Sequence, residues 1–317
     1  MKVTPVTGEP SLYGAFFAKG TPIEMMAGMG FGFVIACLFL WKLLYNPTRK
    51  ALRADKFRAF KLIKKEQISH DTIRVTFENP DGPKAILGLP IGQHISFKFK
   101  NAEGKEVIRS YTPTTGDEKP GIVTFVMKVY KPNPPKFPDG GQMSQYVDSL
   151  KVGDSCLFRG PKGHLDYQGC GKFEIHRARK PVDKRTCTHI GMIAGGTGLT
   201  PMLQIIQAVL RNPKDHTKMY LLLANQTEED ILCREELERY ARIHSGRFQI
   251  FYTVDKPPAK GWKGFTGFIN KEMISECLPT AAEGVQIFIC GPPPMIKFAC
   301  LPNLEKCGFK ENQLFTF

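Results

Sequence analysis

The segment "MIAGGTGLTPML", residues 192–203, sets Gly195, Gly196, Thr197 and Gly198 between an apolar run and the start of a helical pattern. A triphosphate-gripping loop needs Gly-Lys-Ser/Thr at the end of its glycine run, and here Gly198 is followed by Leu199, Thr200 and Pro201. Read as a dinucleotide fingerprint, Gly196-x-Gly198-x-x-Pro201 lacks the third glycine. What remains is physical. Thr200 is suited to cap a helix, Pro201 suits the first helical position, and glycines let a ligand approach bare N–H groups at a positive helix end. Such a loop suits a pyrophosphate. A tight strand-to-helix turn that needs glycine for geometry alone is the alternative.

Other segments carry complementary chemistry. "RSYTP" (Arg109, Ser110, Tyr111, Thr112, Pro113) closes one strand-like run, and "FVMKVY" puts Thr124, Val126, Lys128 and Tyr130 on one face with Phe125, Met127 and Val129 on the other. One face is expected to be core and the other a site. An arginine, two tyrosines and a lysine on neighbouring strands match a large, flat, anionic cofactor: aromatic contact for the ring, cations for the phosphates. "KFPDGGQMSQYV" adds Phe137, Gly140, Gly141, Gln142, Met143 and Ser144 ahead of a helical pattern, a second glycine-rich helix start. Two anion sites imply two nucleotides.

"FICGPPPM" ends a buried strand with Cys290, Gly291 and Pro292, at the edge where parallel sheets bind ligands. Cys290 is therefore a candidate catalytic thiol, although no basic residue adjoins it in sequence. Asp255, in "YTVDK", ends another strand at that edge. It is a ribose 2′-hydroxyl acceptor or simply a turn former. No metal site is expected: the seven histidines show no ligand-like spacing, and the nine cysteines never form Cys-x-x-Cys. An odd, scattered cysteine set also argues for a reducing compartment.

The elements that must position these residues fall into two halves. Alternating runs (Ile73, Val75, Phe77; Ile95, Phe97, Phe99; Val123, Phe125, Met127, Val129) separated by Pro/Gly turns predict antiparallel strands of a barrel or sandwich. From His189 onward four apolar strands alternate with amphipathic helices, which predicts a doubly wound parallel sheet. The expected division is a tail at 1–24, a membrane anchor at 25–45, a tether at 46–56, a cofactor-binding barrel at 57–170, a linker at 171–187 centred on "HRARKPVDKR", and a second nucleotide domain at 188–317. The anchor rests on Met25 to Trp41, a run of 17 residues without a charge. Arg49, Lys50, Arg53 and Lys56 follow it, which places the body on the cytosolic side. A cleaved signal peptide is disfavoured, because the charged flank lies downstream. The formal charge is +14, and residues 1–59 hold eight Lys/Arg against three Asp/Glu. The body thus keeps 36 cationic against 27 anionic side chains, a surface suited to nucleic acid, anionic lipid or an acidic protein.

Taken in order, "RSYTP", "MKVY", "KFPDGGQMS", "GGTGLTP", "YTVD" and "CGPPPM" resemble the NADH-cytochrome b5 reductase family within the ferredoxin-reductase-like flavoenzymes, over residues 57–317. The anchored fungal-type members look most similar. The resemblance implies a six-stranded antiparallel barrel binding FAD, an NADH domain, and hydride transfer from NADH to flavin N5 followed by one-electron steps to cytochrome b5. It sets Arg109 at the FAD pyrophosphate, Tyr111 against the isoalloxazine and Thr112 near N5. Lys128 would hold NADH, with Tyr130 on the flavin side. Gly141, Gln142, Met143 and Ser144 would bind FAD phosphates, and Thr197, Thr200 and Pro201 would line the shared cleft. Cys290, Gly291 and Pro292 would border the nicotinamide, Asp255 would favour NADH over NADPH, and Phe317 would complete the cleft. Pro134, Gln142 and the stretch around His164 depart from the family pattern, which touches the adenylate half of FAD. Cytochrome b5 is acidic as a class and would suit the basic body. No nucleic acid is implied, and the membrane is the endoplasmic reticulum or the mitochondrial outer membrane. A flavin reductase serving a quinone or another haem protein, or a tethered nucleotide-binding module without turnover, are the other readings.

Overall fold

A computed structural model describes residues 49–317, with Lys136 left out. The expected anchor at 25–45 lies outside the described residues. Among those described, no helix is long and apolar enough to cross a membrane.

The first half is a six-stranded antiparallel sheet of β1 (Arg58–Ser69), β2 (Thr72–Glu78), β3 (His94–Lys100), β4 (Glu106–Tyr111), β5 (Ile122–Lys128) and β6 (Ser155–Lys162), in the order β4-β3-β6-β1-β2-β5. Its edges meet just past β4, where the Thr114 N–H donates to the Thr124 carbonyl at 2.9 Å. The sheet therefore curls around its own side chains. Alternation does the sorting: Phe60, Phe77, Phe97, Phe125 and Phe158 point inward and are fully buried, with the Phe97 and Phe158 rings stacked at 4.0 Å. Helix α1 (Gln142–Ser149) closes one end through Met143 and Val147.

The expected tether is only partly free of this body. From Lys50, which bridges to Ile86, it joins the fold: Ala51 and Leu52 are buried, and Arg58 pairs with Asp81 at 2.6 Å. Burial of two aliphatic side chains outweighs the solvation of their charged neighbours.

The second half is a parallel sheet of β10 (His189–Gly195), β11 (Lys218–Asn225), β12 (Phe248–Val254), β13 (Phe265–Thr266), β14 (Val285–Cys290) and β15 (Leu314–Thr316), ordered β13-β12-β11-β10-β14-β15. The order reverses beside β10, so a crevice opens at its C-terminal end. Helix α2 (Leu199–Arg211) starts there. Gly198, and not Thr200, occupies its N-cap, because a turn over Gly196–Gly198 runs straight into the helix and carries Thr200 into its first turn.

The expected linker at 171–187 is structured. β7 (Leu165–Gly169), β8 (Lys172–Ile175) and β9 (Asp183–Thr186) form a small antiparallel sheet, and Leu165, Tyr167, Phe173, Ile175 and Cys187 pack into the core of the second half. Its pivot is Asp215, fully buried, which accepts from Tyr167 Oη (2.7 Å), the Cys170 N–H (2.7 Å) and the Thr217 hydroxyl (2.6 Å). Burial pushes this carboxyl up, but the bonds from Thr217, Tyr167 and the backbone outweigh it and hold the pKa below the ordinary value. Asp215→Asn is expected to cost about 2–3 kcal/mol in urea unfolding, since bonds to an ionised acceptor are lost. A group with a depressed folded pKa stabilises above its unfolded value. The wild-type advantage should thus be constant above about pH 5 and vanish as pH falls through the folded pKa.

Candidate functional site

Between the two halves lies a cleft of about 1100 Å³, beyond the roughly 300–1,000 Å³ of a single small-ligand pocket. The curled sheet contributes His94, Ser110, Tyr111, Thr112, Val126, Lys128 and Tyr130. The parallel sheet contributes Gly195 at the end of β10 with Gly196, Thr197, Gly198, Thr200 and Pro201 after it, Asp255 after β12, Cys290 at the end of β14 with Gly291 and Pro292 after it, and Phe317. The two walls nearly touch where Tyr130 Oη lies 3.5 Å from Thr197 Oγ1.

The glycine loop is shaped by two different constraints. Gly196 has φ +53° with nothing near its side, so its backbone conformation is what favours glycine. Gly198 has an ordinary φ of −60°, but a Cβ there would overlap the Cys290 carbonyl oxygen and sit 2.5 Å from its carbon. The loops after β10 and β14 are therefore in backbone contact, and this contact is the floor of the crevice.

Several expected site residues lie beside the cleft and not in its wall. Arg109 is exposed on β4, its guanidinium donating to the Ile108 carbonyl at 2.8 Å. Pro113 is buried. Phe137 and the Gly140–Ser144 segment continue the groove behind Tyr130: the Phe137 ring is 6.5 Å from the Tyr130 ring, and the Gly141 N–H donates to the Tyr130 carbonyl at 2.8 Å. Two side chains in that segment are not available to a ligand. Met143 is buried in the barrel core, and the Ser144 hydroxyl donates to the Gly141 carbonyl (2.9 Å) while accepting from the Tyr130 N–H (3.1 Å). The helical face shared by Met143 and Val147 has to cover the barrel, so what this turn can offer an anion is backbone N–H. No side chain caps that turn. A glycine-walled, uncapped helix start near two tyrosines offers backbone N–H groups and aromatic faces, the donor set a flat, anionic cofactor such as FAD needs.

Electrostatics separates the remaining candidates. Burial pushes the Cys290 thiol up to about 11, so it is a thiol and not a thiolate at neutral pH. That removes the basis for a nucleophile and leaves a small, soft lining group. Burial also raises the Tyr111 phenol far above its ordinary range and lowers the His94 imidazole, so both are neutral. His94 was not among the sequence-level candidates; its strand-end position in "GQHISF" carries no motif of its own.

Lys128 is held differently from the sequence expectation. Its ammonium bonds Asp230 at 2.5 Å and Asp71 at 2.9 Å. Burial works against the charges of both Lys128 and Asp230, yet their mutual hydrogen bonds win: the lysine pKa is raised and that of Asp230 lowered. His70, Asp71 and Asp230 are grouped closely enough to hold a metal ion, and the Lys128 ammonium bonds both of those carboxylates.

Comparison with known proteins agrees with this geometry. Residues 59–167 match the oxidoreductase FAD-binding domain and residues 192–301 the oxidoreductase NAD-binding domain. The chain is 55% identical to NADH-cytochrome b5 reductase 3 of Rattus norvegicus over 260 residues, 81% of this chain and 85% of the relative. It is 48% identical to NADH-cytochrome b5 reductase 2 of Xenopus laevis over 290 residues, 90% of this chain and 97% of the relative. The crystal structure of the cytochrome b5 reductase domain of Ulva prolifera nitrate reductase superposes with a TM-score of 0.79 at 44% identity, covering 84% of this chain and all of that one. With an FAD-binding antiparallel sheet, an NAD-binding parallel sheet and relatives of this closeness, the chain belongs to the NADH-cytochrome b5 reductase family.

Proposed function

We propose that this chain oxidises NADH and passes the electrons singly to a cytochrome b5, using FAD bound along the barrel side of the cleft, while residues 25–45 tether it to the endoplasmic reticulum or mitochondrial outer membrane with its body in the cytosol. The observation that carries the reading is one continuous cleft that joins a tyrosine- and hydroxyl-lined barrel wall to the glycine loop at the switch point of the parallel sheet.

Bound FAD supplies the conversion between two-electron and one-electron chemistry. The protein's part is alignment. Arg109 and the amides of Gln142, Met143 and Ser144 hold the FAD pyrophosphate, Tyr111 and Tyr130 contact the ring, and Thr112 faces its reactive edge. Gly195 to Gly198, with Thr200 and Pro201, present the start of α2 to the coenzyme pyrophosphate. Asp255 takes the ribose, while Gly291, Pro292 and the neutral Cys290 border the nicotinamide. Phe268 and Phe298, 78% and 70% exposed at the rim, offer apolar cover against water. No side chain has to act as nucleophile or move a proton in a covalent step; proximity and fixed dipoles do the work.

Purified protein should be yellow and should bleach on addition of NADH. Cytochrome b5 reduction should fall on the order of tenfold as salt is raised from low to near-molar, because an excess of basic side chains steers an acidic partner. A rate indifferent to salt, or a quinone reduced faster than cytochrome b5, would point to a different acceptor.

A further inference from the structure

Several polar contacts cross the seam between the domains among the described residues, and three of them are short. Gln204 of α2 accepts the Gly92 N–H at 2.7 Å, Arg211 pairs with Glu118 at 2.7 Å, and Lys128 pairs with Asp230 at 2.5 Å. Of the two ion pairs only Lys128–Asp230 has both partners in the wall of the cleft, where the Tyr130 and Thr197 hydroxyls also meet at 3.5 Å. Behind it, past Val126, a second cavity of about 480 Å³ separates Arg74, Thr115 and Lys119 of the barrel from Gln207, Arg211 and Glu236 of the other domain. Val126 is the barrel side chain there that packs into the core of the other domain.

The carboxylates that hold Lys128 are themselves fixed. Asp230, whose side chain is 9% exposed, uses Oδ2 to accept from the Thr227 N–H (3.0 Å) and hydroxyl (2.9 Å), which turns Oδ1 toward the ammonium. Asp71 uses Oδ1 to accept from the Thr72 hydroxyl at 2.9 Å, which leaves Oδ2 for the same ammonium. Each acid is thus preset by a neighbouring threonine, one from each domain. Two carboxylates also overbalance one lysine, so the cluster is a poor place for that lysine to serve as a free cation for an anionic coenzyme. His70 Nε2 lies 3.5 Å from Asp71 and 3.8 Å from Asp230, at the open side of the cluster.

We propose that Asp230 is a positioning residue: from the NADH domain it seizes the cleft lysine of the barrel and, with Asp71, holds the two domains at the spacing where the nicotinamide can lie on the flavin. This rests on the flavin reductase reading above. The alternative, in which Lys128 grips the coenzyme directly and Asp230 merely dilutes its charge, makes the opposite prediction for one substitution. Asp230→Asn keeps an oxygen for Thr227 while removing the charge that holds Lys128.

The test is stopped-flow flavin reduction by NADH in the FAD-loaded wild type, Asp230→Asn, Lys128→Met and the double variant. For Asp230→Asn the apparent NADH dissociation constant is expected to rise on the order of tenfold with flavin content unchanged, and the double variant to be no worse than the poorer single one. Asp230→Glu should recover part of the loss. If Asp230→Asn binds NADH as tightly as wild type or tighter, or if the two single effects multiply in the double variant, the proposal is overturned. Asp71→Asn, on the exposed β1–β2 hairpin, provides a second route if Asp230→Asn does not accumulate: a rise of about threefold supports the latch and no change refutes it. Wild-type protein that failed to bleach with NADH would instead remove the flavin reductase reading itself.

Discussion

Gly198→Ala is expected to lower kcat/KM for NADH by on the order of a thousandfold while leaving the flavin in place. The backbone at Gly198 is ordinary, with φ −60° and ψ −7°, so an L-residue costs nothing conformationally. The penalty is wholly steric. An added methyl would overlap the Cys290 carbonyl oxygen, lie 2.5 Å from its carbon and 3.0 Å from the Gly291 nitrogen, all of it backbone that no rotamer change can move. Ala194 of β10 pairs directly with Cys290 of β14, so neighbouring sheet hydrogen bonds resist any separation of the two loops. Relief has to come from displacing the glycine loop or the Cys290–Pro292 turn, and both are walls of the coenzyme crevice. Shifts near 1 Å at a reacting geometry cost about a hundredfold, and here two walls move together. Arg109, Tyr111 and the start of α1 are untouched, so flavin absorbance per protein should equal that of wild type. Gly196→Ala is the matched control: its Cβ meets nothing within 4 Å, and only the strain of φ +53° remains, about 1–2 kcal/mol. If steady-state kinetics ranked these two variants the other way, the crevice would be sized by loop conformation and not by backbone contact.

Much of the scaffold behind this contact is legible in the sequence, because it is written in periodicity. Ile73, Val75 and Phe77 alternate and line the barrel core; the run at 190–195, after His189, is apolar and becomes the central parallel strand. Asn270 heads its helix as a side-chain cap for the Met273 N–H at 2.9 Å, a purely local signal. What escapes is non-local or ambiguous. Thr200 is as good a cap as Asn270 on composition, but the Gly196–Gly198 turn extends the helix backward past it. β8 and β9 hide in a charged stretch, since only Phe173 and Ile175 of that stretch turn inward. Val126 shares a strand face with Lys128 and was expected in the site wall; it is there, but it is also packed into the core of the other domain. Lys128 and Asp230 are separated by 102 residues, so no local pattern announces that the lysine is already paired. His94 is silent for the same reason: its character comes from burial, which a single residue between polar and apolar neighbours does not reveal.

The second large effect concerns coenzyme choice. Asp255→Ala is expected to change the NADH to NADPH preference by about a hundredfold to a thousandfold, through two contributions of opposite sense. Asp255 follows β12 at the C-terminal edge, where its backbone N–H bonds the Asn225 carbonyl at 3.1 Å and its side chain borders the cleft beside Gly267 and Phe268. In the proposed role an ionised carboxylate there would accept a ribose 2′-hydroxyl, a charge-assisted bond of about 1.5–3 kcal/mol, and would repel a 2′-phosphate through Coulomb's law at short range. Truncation removes the bond that NADH makes and the repulsion that NADPH suffers. NADH should thus weaken while NADPH improves, and their sum is what the ratio reads. Partial burial raises the Asp255 pKa and Lys256 counters it, so the carboxyl takes up its proton at higher pH than a free aspartate does. The wild-type ratio should consequently shrink as pH falls toward that raised value, and the ratio of Asp255→Ala should not follow it. Parallel kinetics with both coenzymes across pH check this directly: a wild-type ratio flat with pH, or a variant that loses NADH without gaining NADPH, would mean the ribose is recognised by some other group along the edge.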